Sequence, residues 1–236
     1  MGCKLLITPY QGKIVSALYE DRHLVQIAVE EGKRAEICIG GIYIGKVKNI
    51  VANINAAFVE LIPGVMSYLA LDESIPPITA NVHADGKIHA GDELVVQVVR
   101  EPIKSKRASV TCALNLTGKY AVLIHGKPSI GISAKILDSE RRVYLREFFG
   151  QYAGKDYGFI VRTNAAEVSD KELAEEIFAL KKRYEKICAH GIHRARFSVL
   201  EEPLPAYLCS LRYQYRGELD EILTEESTLY EEMRLY

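Results

Sequence analysis

Between Lys4 and about Glu30 the hydrophobic residues come in short alternating runs, LLITPY, GKIVSALYED and RHLVQIAVEE, broken at Gly12 and at Glu20-Asp21-Arg22. Period-two alternation interrupted by turn-forming residues predicts a small antiparallel meander. The charged stretch Glu30-Glu31-Gly32-Lys33-Arg34 closes it and marks a boundary. From Ala35 to Ala113 the same period returns in IYIGKVKNIV, NAAFVEL, MSYLAL, DELVVQVVRE and ASVTCAL, separated by Gly, Pro, Asn and Asp. Five short strands within about 80 residues predict a small closed barrel. The connection SIPPITANVHADGKIHAG is too long and too polar for a simple hairpin.

After Thr117 the period changes. Strands are predicted around Tyr120 to Ile124 and Ile132 to Ile136, then a helix from Ser139 to Tyr152 with Val143, Tyr144 and Phe148 on one face. A further strand covers Gly158 to Thr163. Ser169 and Glu172 make a capping box ahead of Leu173, Ile177, Leu180, Tyr184 and Ile187, one stripe of a long helix. Pro203 and Pro205 precede a last helical stretch from about Ala206, on which Asp220, Glu221, Glu225 and Glu226 read as a solvated charged face.

Composition narrows the function classes without choosing one. Apolar residues make up 48% of the 236 and charged residues 26%, which is ordinary globular usage and excludes a disordered or collagen-like chain. The net charge is −1, so any attraction to polyphosphate has to come from a local basic patch. Five scattered cysteines (Cys3, Cys38, Cys112, Cys188, Cys209) without a CxxC pair fit a reduced, cytoplasmic protein. Leu5-Leu6-Ile7 is too short for a signal-peptide core. No run approaches the ~20 apolar residues of a spanning helix, so no membrane association is expected. His190 and His193 have metal-ligand spacing but no evident third ligand, and no nucleotide-binding or nucleophile motif occurs.

The barrel carries the first chemical hint. Phe58 and Tyr68 lie on neighbouring predicted strands, flanked by Lys46, Lys48, Lys104, Lys106 and Arg107. Rings beside a basic groove are how a barrel holds single-stranded RNA, with bases stacked on the aromatics and cations along the phosphates. On the pattern alone, strand aromatics are more often core.

The order of IYIGKVKNIVANINAAFVEL, SYLALDE, the segment from Gly91 to Gly126, ISAKI and GFIVRTNAAE resembles the ribonuclease E/G family along essentially the whole chain. The resemblance implies an α+β fold: a five-stranded OB-fold β-barrel inserted in an RNase H-like subdomain and followed by an α/β 5′-sensor region. The corresponding divisions are residues 1–34, 35–113, 114–205 and 206–236, the first and last being two parts of the RNase H-like subdomain. It further implies a pocket for the 5′-monophosphate of single-stranded RNA. Arg162 and Thr163 match the family's phosphate-binding residues, and Gly118 and Val122 match their supports. A guanidinium fork, a hydroxyl and a small residue permitting close approach suit a terminal phosphate. Phe58, Tyr68 and Lys106 match the barrel's RNA-binding positions, with Lys46 and Arg107 beside them. Where the family has an arginine pair this chain has Ala134 and Lys135.

The family's catalytic groups are two aspartates holding Mg²⁺ in a DNase I-like subdomain and a zinc-linking C-P-x-C motif. Neither matches any part of this sequence, so catalytic residues, Mg and Zn are expected only downstream of Tyr236. The resulting expectation is an RNA-binding and 5′-monophosphate-sensing portion of an endoribonuclease involved in RNA processing and decay. The alternatives are a fragment to be understood as the complete Mg-dependent enzyme, or a stand-alone regulatory RNA-binding protein.

Overall fold

The structure, a computed structural model, describes residues 2–32, 37–72, 74–102, 106–203, 205 and 219–234. Lys33, Arg34, Lys104, Cys209 and the start of the helix expected from Ala206 lie outside the described residues. The chain divides into two compact units. The described residues of 1–36 and 204–236 form one, and Ile37–Pro203 the other.

In the first unit the three alternating runs become β1 (Cys3–Tyr10), β2 (Lys13–Glu20) and β3 (His23–Glu31), an antiparallel meander in sequence order. The turn residues Asp21 and Arg22 have positive φ. A fourth strand, Glu221–Thr224, lies parallel to β1 at the far edge, so the charged tail is not one solvated helix face. Glu221 ion-pairs with Lys4 at 2.6 Å, and Glu225 accepts a hydrogen bond from Thr8 Oγ1 at 2.5 Å. Among the described residues of the tail a helix covers Ser227–Arg234, placing Leu229 among Cys3, Leu5, Ile7 and Leu18.

The second unit opens with the barrel: β4 (Ile42–Val51), β5 (Ala56–Ile62), β6 (Val65–Ala70), β7 (Glu93–Arg100) and β8 (Ala108–Thr111). Its order β4-β5-β6-β8-β7 closes through β4–β7 pairing, with only β6 and β8 parallel. This is an OB-fold barrel. Alternation sends Val47, Val59, Leu61, Leu69, Leu94, Val96 and Val98 into the barrel core. The apolar runs of β4 and β7 are nearly unbroken because both their faces are covered. Ile42 and Val95 point outward into a second core.

That core lies under a four-stranded sheet, order β11-β12-β10-β9, made of β9 (Asn115–Thr117), β10 (Ala121–His125), β11 (Ile130–Ile132) and β12 (Tyr157–Val161). The helix α1 (Ser139–Gly150) and the long helix α2 (Asp170–His193) complete it. The capping box at Ser169 and Glu172 is formed, and Leu173, Ile177, Leu180, Tyr184 and Ile187 are all buried. In α1 the buried pair is Leu145 and Phe149, while Val143 and Tyr144 are exposed. Of the face expected for this helix only Phe148 packs against the core, half-buried, since Leu145 and Phe149, four residues apart, make the narrower stripe that meets the sheet. The short strand β11 starts two residues and ends four residues earlier than expected, and Ile136 is buried beyond it.

The second core joins barrel and sheet through close contacts. The buried amide of Gln97 donates to Gly40 O and Asn115 O and accepts from Asn115 N. Gly191 of α2 meets Val95, where an added Cβ would stand 2.2 Å from Cγ2. Gly191→Ala is expected to destabilise the protein by about 1–3 kcal/mol. Helix propensity favours alanine by at most about 1 kcal/mol, and a β-branched valine cannot swing clear. A fall in the urea midpoint at constant m-value is the readout, and an unchanged or higher midpoint would refute the contact.

Candidate nucleic-acid interface

Because β11 runs parallel to β12, while β10 is antiparallel to both β12 and β9, four chain segments meet at one edge of the sheet. They are Gly118 after β9, Tyr120 before β10, Ser133 after β11, and Arg162-Thr163 after β12. The extended backbone of Arg162 (φ −87°, ψ 163°) continues β12, its N–H donating to Tyr120 O at 2.7 Å. The strand's alternation then sends the side chain out on the side of Ile160. Val122 pairs directly with Ile160 and is half-buried, forming the apolar floor on that side.

Arg162 Nη1 donates to Gly118 O at 2.7 Å. Among the described residues Nε and Nη2 have no protein partner, so one edge of the guanidinium is fixed and the other is open. Thr163 Oγ1 lies 3.0 Å from Ser133 Oγ, either hydroxyl being able to donate. Two polar hydrogens and a hydroxyl pair beside an apolar floor can take the oxygens of one phosphate. Arg162, Thr163, Gly118 and Val122 are thus brought together, although they span 46 positions of sequence (Gly118 to Thr163, both included).

Gly118 has a different neighbour from the one its size suggested. The Glu176 carboxylate lies against it, and a Cβ would stand 2.6 Å from Oε1. Glu176 comes from the second turn of α2 and accepts from Lys119 N at 2.7 Å, Tyr120 N at 2.6 Å and Ala121 N at 2.8 Å. Neither Glu176 nor Ser133 stood out in the sequence, where one looks like part of an acidic helix surface and the other like a turn residue. Of the remaining cations, Lys135 is exposed. Arg141 and Arg142 donate to backbone carbonyls of Ala165, Ala166, Val168, Ser133 and Ile136 and so serve the fold.

On the barrel, Phe58 and Tyr68 are cross-strand partners of β5 and β6 on the outer face, with ring centroids 6.4 Å apart and planes at 71°. Both rings are half-buried. The core on the opposite face is filled by Ala57, Val59 and Leu69. The Arg107 guanidinium stands 4.8 Å from the Phe58 centroid, and exposed Lys106 precedes it. Lys46 is half-buried on β4 opposite Glu60, and Lys48 is tied to the same carboxylate at 2.9 Å. His190 and His193 share the last turn of α2. Among the described residues no group of three His, Cys, Asp or Glu side chains is placed to hold a metal ion, and no helix is long and apolar enough to cross a membrane.

An OB barrel joined to a small α/β sheet is the class this fold defines. Residues 115–236, just over half of the chain, match the model of the ribonuclease E/G family, and the chain belongs to that family. Ribonuclease G of Escherichia coli is 27% identical over 197 residues, covering 79% of this chain and 40% of that protein. Ribonuclease G of Salmonella typhimurium is 29% identical over 198 residues with the same coverage. Ribonuclease E of a Nostoc species is 25% identical over 236 residues, 99% of this chain and 34% of that protein. The chain therefore spans 40% or less of the length of these relatives.

The long connection between β6 and β7 is organised by a carboxylate. Buried Asp92 accepts from His83 Nε2 at 2.8 Å, His89 N at 2.7 Å and Asn81 Nδ2 at 3.4 Å. Burial pushes its pKa up, but those hydrogen bonds and the neighbouring His83 charge outweigh burial and hold it below the usual value. The folded state then binds the proton more weakly than the unfolded chain. The stabilisation is complete above the ordinary aspartate pKa of about 3.9 and is lost as pH falls through the lower folded value. Asp92→Asn is expected to cost about 1–3 kcal/mol at neutral pH, with the gap from wild type closing in acid. Urea melts across pH check this, and a gap independent of pH would exclude an ionised Asp92.

Proposed function

We propose that this chain is the single-stranded RNA-binding and 5′-monophosphate-sensing portion of a ribonuclease E/G-type endoribonuclease acting in RNA processing and decay. The observation that carries the reading is the open edge of the Arg162 guanidinium beside the Thr163 and Ser133 hydroxyls. A 5′-monophosphate has an extra charge and unshared oxygens that an internal phosphodiester lacks, which suits a half-fixed guanidinium fork. The outward Phe58–Tyr68 pair, with Arg107 and Lys106 beside it, supports a second contact: bases stack on the rings while cations follow the backbone. Val122 and Ile160 give the terminal nucleotide an apolar surface to rest on. Lys48 is already ion-paired to Glu60 at 2.9 Å, which makes it a weaker phosphate partner than Lys46, the register neighbour of the same carboxylate. Cleavage of RNA, with Mg and Zn as the metals, is assigned to parts of the relatives that this chain does not match.

The test is fluorescence anisotropy with matched 5′-phosphate and 5′-hydroxyl oligonucleotides. Charge-assisted hydrogen bonds worth about 1.5–3 kcal/mol predict a preference of roughly 10- to 150-fold for the phosphorylated end at low salt. Arg162→Ala should erase the preference and leave 5′-hydroxyl affinity nearly unchanged, and Arg162→Lys should restore only part, since a point charge replaces the fork. Equal affinities for the two oligonucleotides in the folded wild type would sink the reading.

The barrel is tested separately. Phe58→Ala or Tyr68→Ala should weaken both oligonucleotides by about 1–3 kcal/mol without changing their ratio. Lys106→Ala should reduce the log–log salt slope by about 0.7. Wild-type affinity in both ring variants would place the RNA face elsewhere.

A further inference from the structure

We infer that Glu176 is a positioning residue for 5′-end recognition: its carboxylate, seated in the backbone amides of the loop between β9 and β10, holds the Gly118 carbonyl that fixes Arg162. The inference rests on the proposed role of Arg162. The loop is a tight turn closed by Gly118 N donating to Ala121 O at 2.8 Å. Its next three N–H groups, from Lys119, Tyr120 and Ala121, all converge on Glu176 at 2.6 to 2.8 Å. Successive amides turned to one side form an anion-binding concavity, and here its anion is supplied from within the chain, 55 to 57 residues away.

Two consequences reach Arg162. The only hydrogen bond of its guanidinium among the described residues goes to Gly118 O, so a shift of the loop redirects the fork. In addition, Glu176 and Arg162 both act on this loop, yet the two side chains form no ion pair: the carboxylate takes the amides and the guanidinium takes the Gly118 carbonyl. Three amide dipoles satisfy the charge and leave Nε and Nη2 open. Gly118 fits the same account, because any Cβ would collide with Glu176 Oε1 and Cδ at 2.6 and 2.7 Å. What the glycine admits is the positioning carboxylate.

The experiment is the same anisotropy pair on the full chain, with circular dichroism as the check on folding. Glu176→Ala should bring the 5′-phosphate to 5′-hydroxyl affinity ratio close to one while 5′-hydroxyl affinity stays within about twofold, because the barrel contact is separate. Formate, against chloride at equal ionic strength, should refill the vacated amides and restore part of the ratio. Glu176→Gln should be intermediate: its amide oxygen can still accept from Tyr120 and Ala121, but its NH2 faces the Lys119 N–H. Gly118→Ala should match Glu176→Ala, and the double variant should be no worse than either single one, since both lose the same contact.

A folded Glu176→Ala protein that keeps the wild-type ratio overturns the inference, as does an additive double variant. If Glu176→Ala does not fold, Glu176→Gln decides: a lowered ratio with unchanged 5′-hydroxyl affinity supports the role and a wild-type ratio overturns it. A wild-type protein with no phosphate preference overturns the reading of Arg162 first. Loss of preference in Arg162→Ala but not in Glu176→Ala overturns the positioning role alone.

Discussion

The pairing of β10 with β12 is the interaction on which the site depends. Its register sets Ala121 against Val161 and Val122 against Ile160, and it continues one residue further through Arg162 N and Tyr120 O. A slip of one residue would turn Arg162 into the core and bring Val161 to the surface. The register is held from beneath, because Ala121, Leu123, Phe159 and Val161 are all fully buried against α2 and α1. Core packing, rather than any property of the loop residues, thus fixes where the guanidinium emerges.

The barrel takes part in the same arrangement. Its strands β4 and β7 are buried on both faces, lending Ile42 and Val95 to the core under the β9–β12 sheet. Gln97 adds direction to this apolar contact: one buried amide satisfies carbonyls on both sides and accepts from Asn115, the first residue of β9. His125 does the same from the sheet, bonding Tyr184 OH at 2.8 Å and Pro76 O at 2.7 Å. Buried polar groups bonded to two elements at once tolerate little rearrangement, since any shift leaves one of them unsatisfied. The Phe58–Tyr68 pair and the Arg162–Thr163 cluster are therefore carried on one body, which on the proposed reading fixes the path of the RNA between them.

Much of this fold was legible because alternation and capping are local. The five barrel runs became the five barrel strands, and Ser169, Glu172 and the stripe from Leu173 to Ile187 marked the start and the buried face of α2, which runs on to His193. The strands β9, Val199–Glu201 and Glu221–Thr224 were not legible. At three or four residues each, they exist because a partner strand is there, and nothing in their own sequence marks them. The tail shows the same limit: its acids suggested a solvated helix face, whereas Lys4 and Thr8, more than 210 residues away, give two of them strand-edge partners. In α1 two apolar stripes compete in twelve residues, and only the sheet decides which is covered. Among the site residues, Arg162, Thr163, Gly118 and Val122 were reached through resemblance, since an Arg-Thr pair at a strand end is commonplace. Glu176 was hidden because Glu175-Glu176 reads as helix surface, and the three amides that distinguish one glutamate from the other belong to a distant loop.

On the proposed reading, a chain of net charge −1 offers a phosphate site through local geometry rather than bulk charge. Most of the arginines near the pocket are already committed to the protein. Arg141 and Arg142 bind backbone carbonyls, and Arg183 bridges Thr117 O and Glu201. Each aims its hydrogen bonds inward, so among the described residues what remains for a ligand is half of one guanidinium, two hydroxyls and the exposed Lys119 and Lys135. Such a site has little long-range attraction and depends on geometry, which favours a group that presents several oxygens at one point over a uniform polyanion. On the proposed reading, selectivity for an RNA end over an RNA backbone follows from this scarcity of free cations. A more basic pocket would bind internal phosphates as well and blur the distinction.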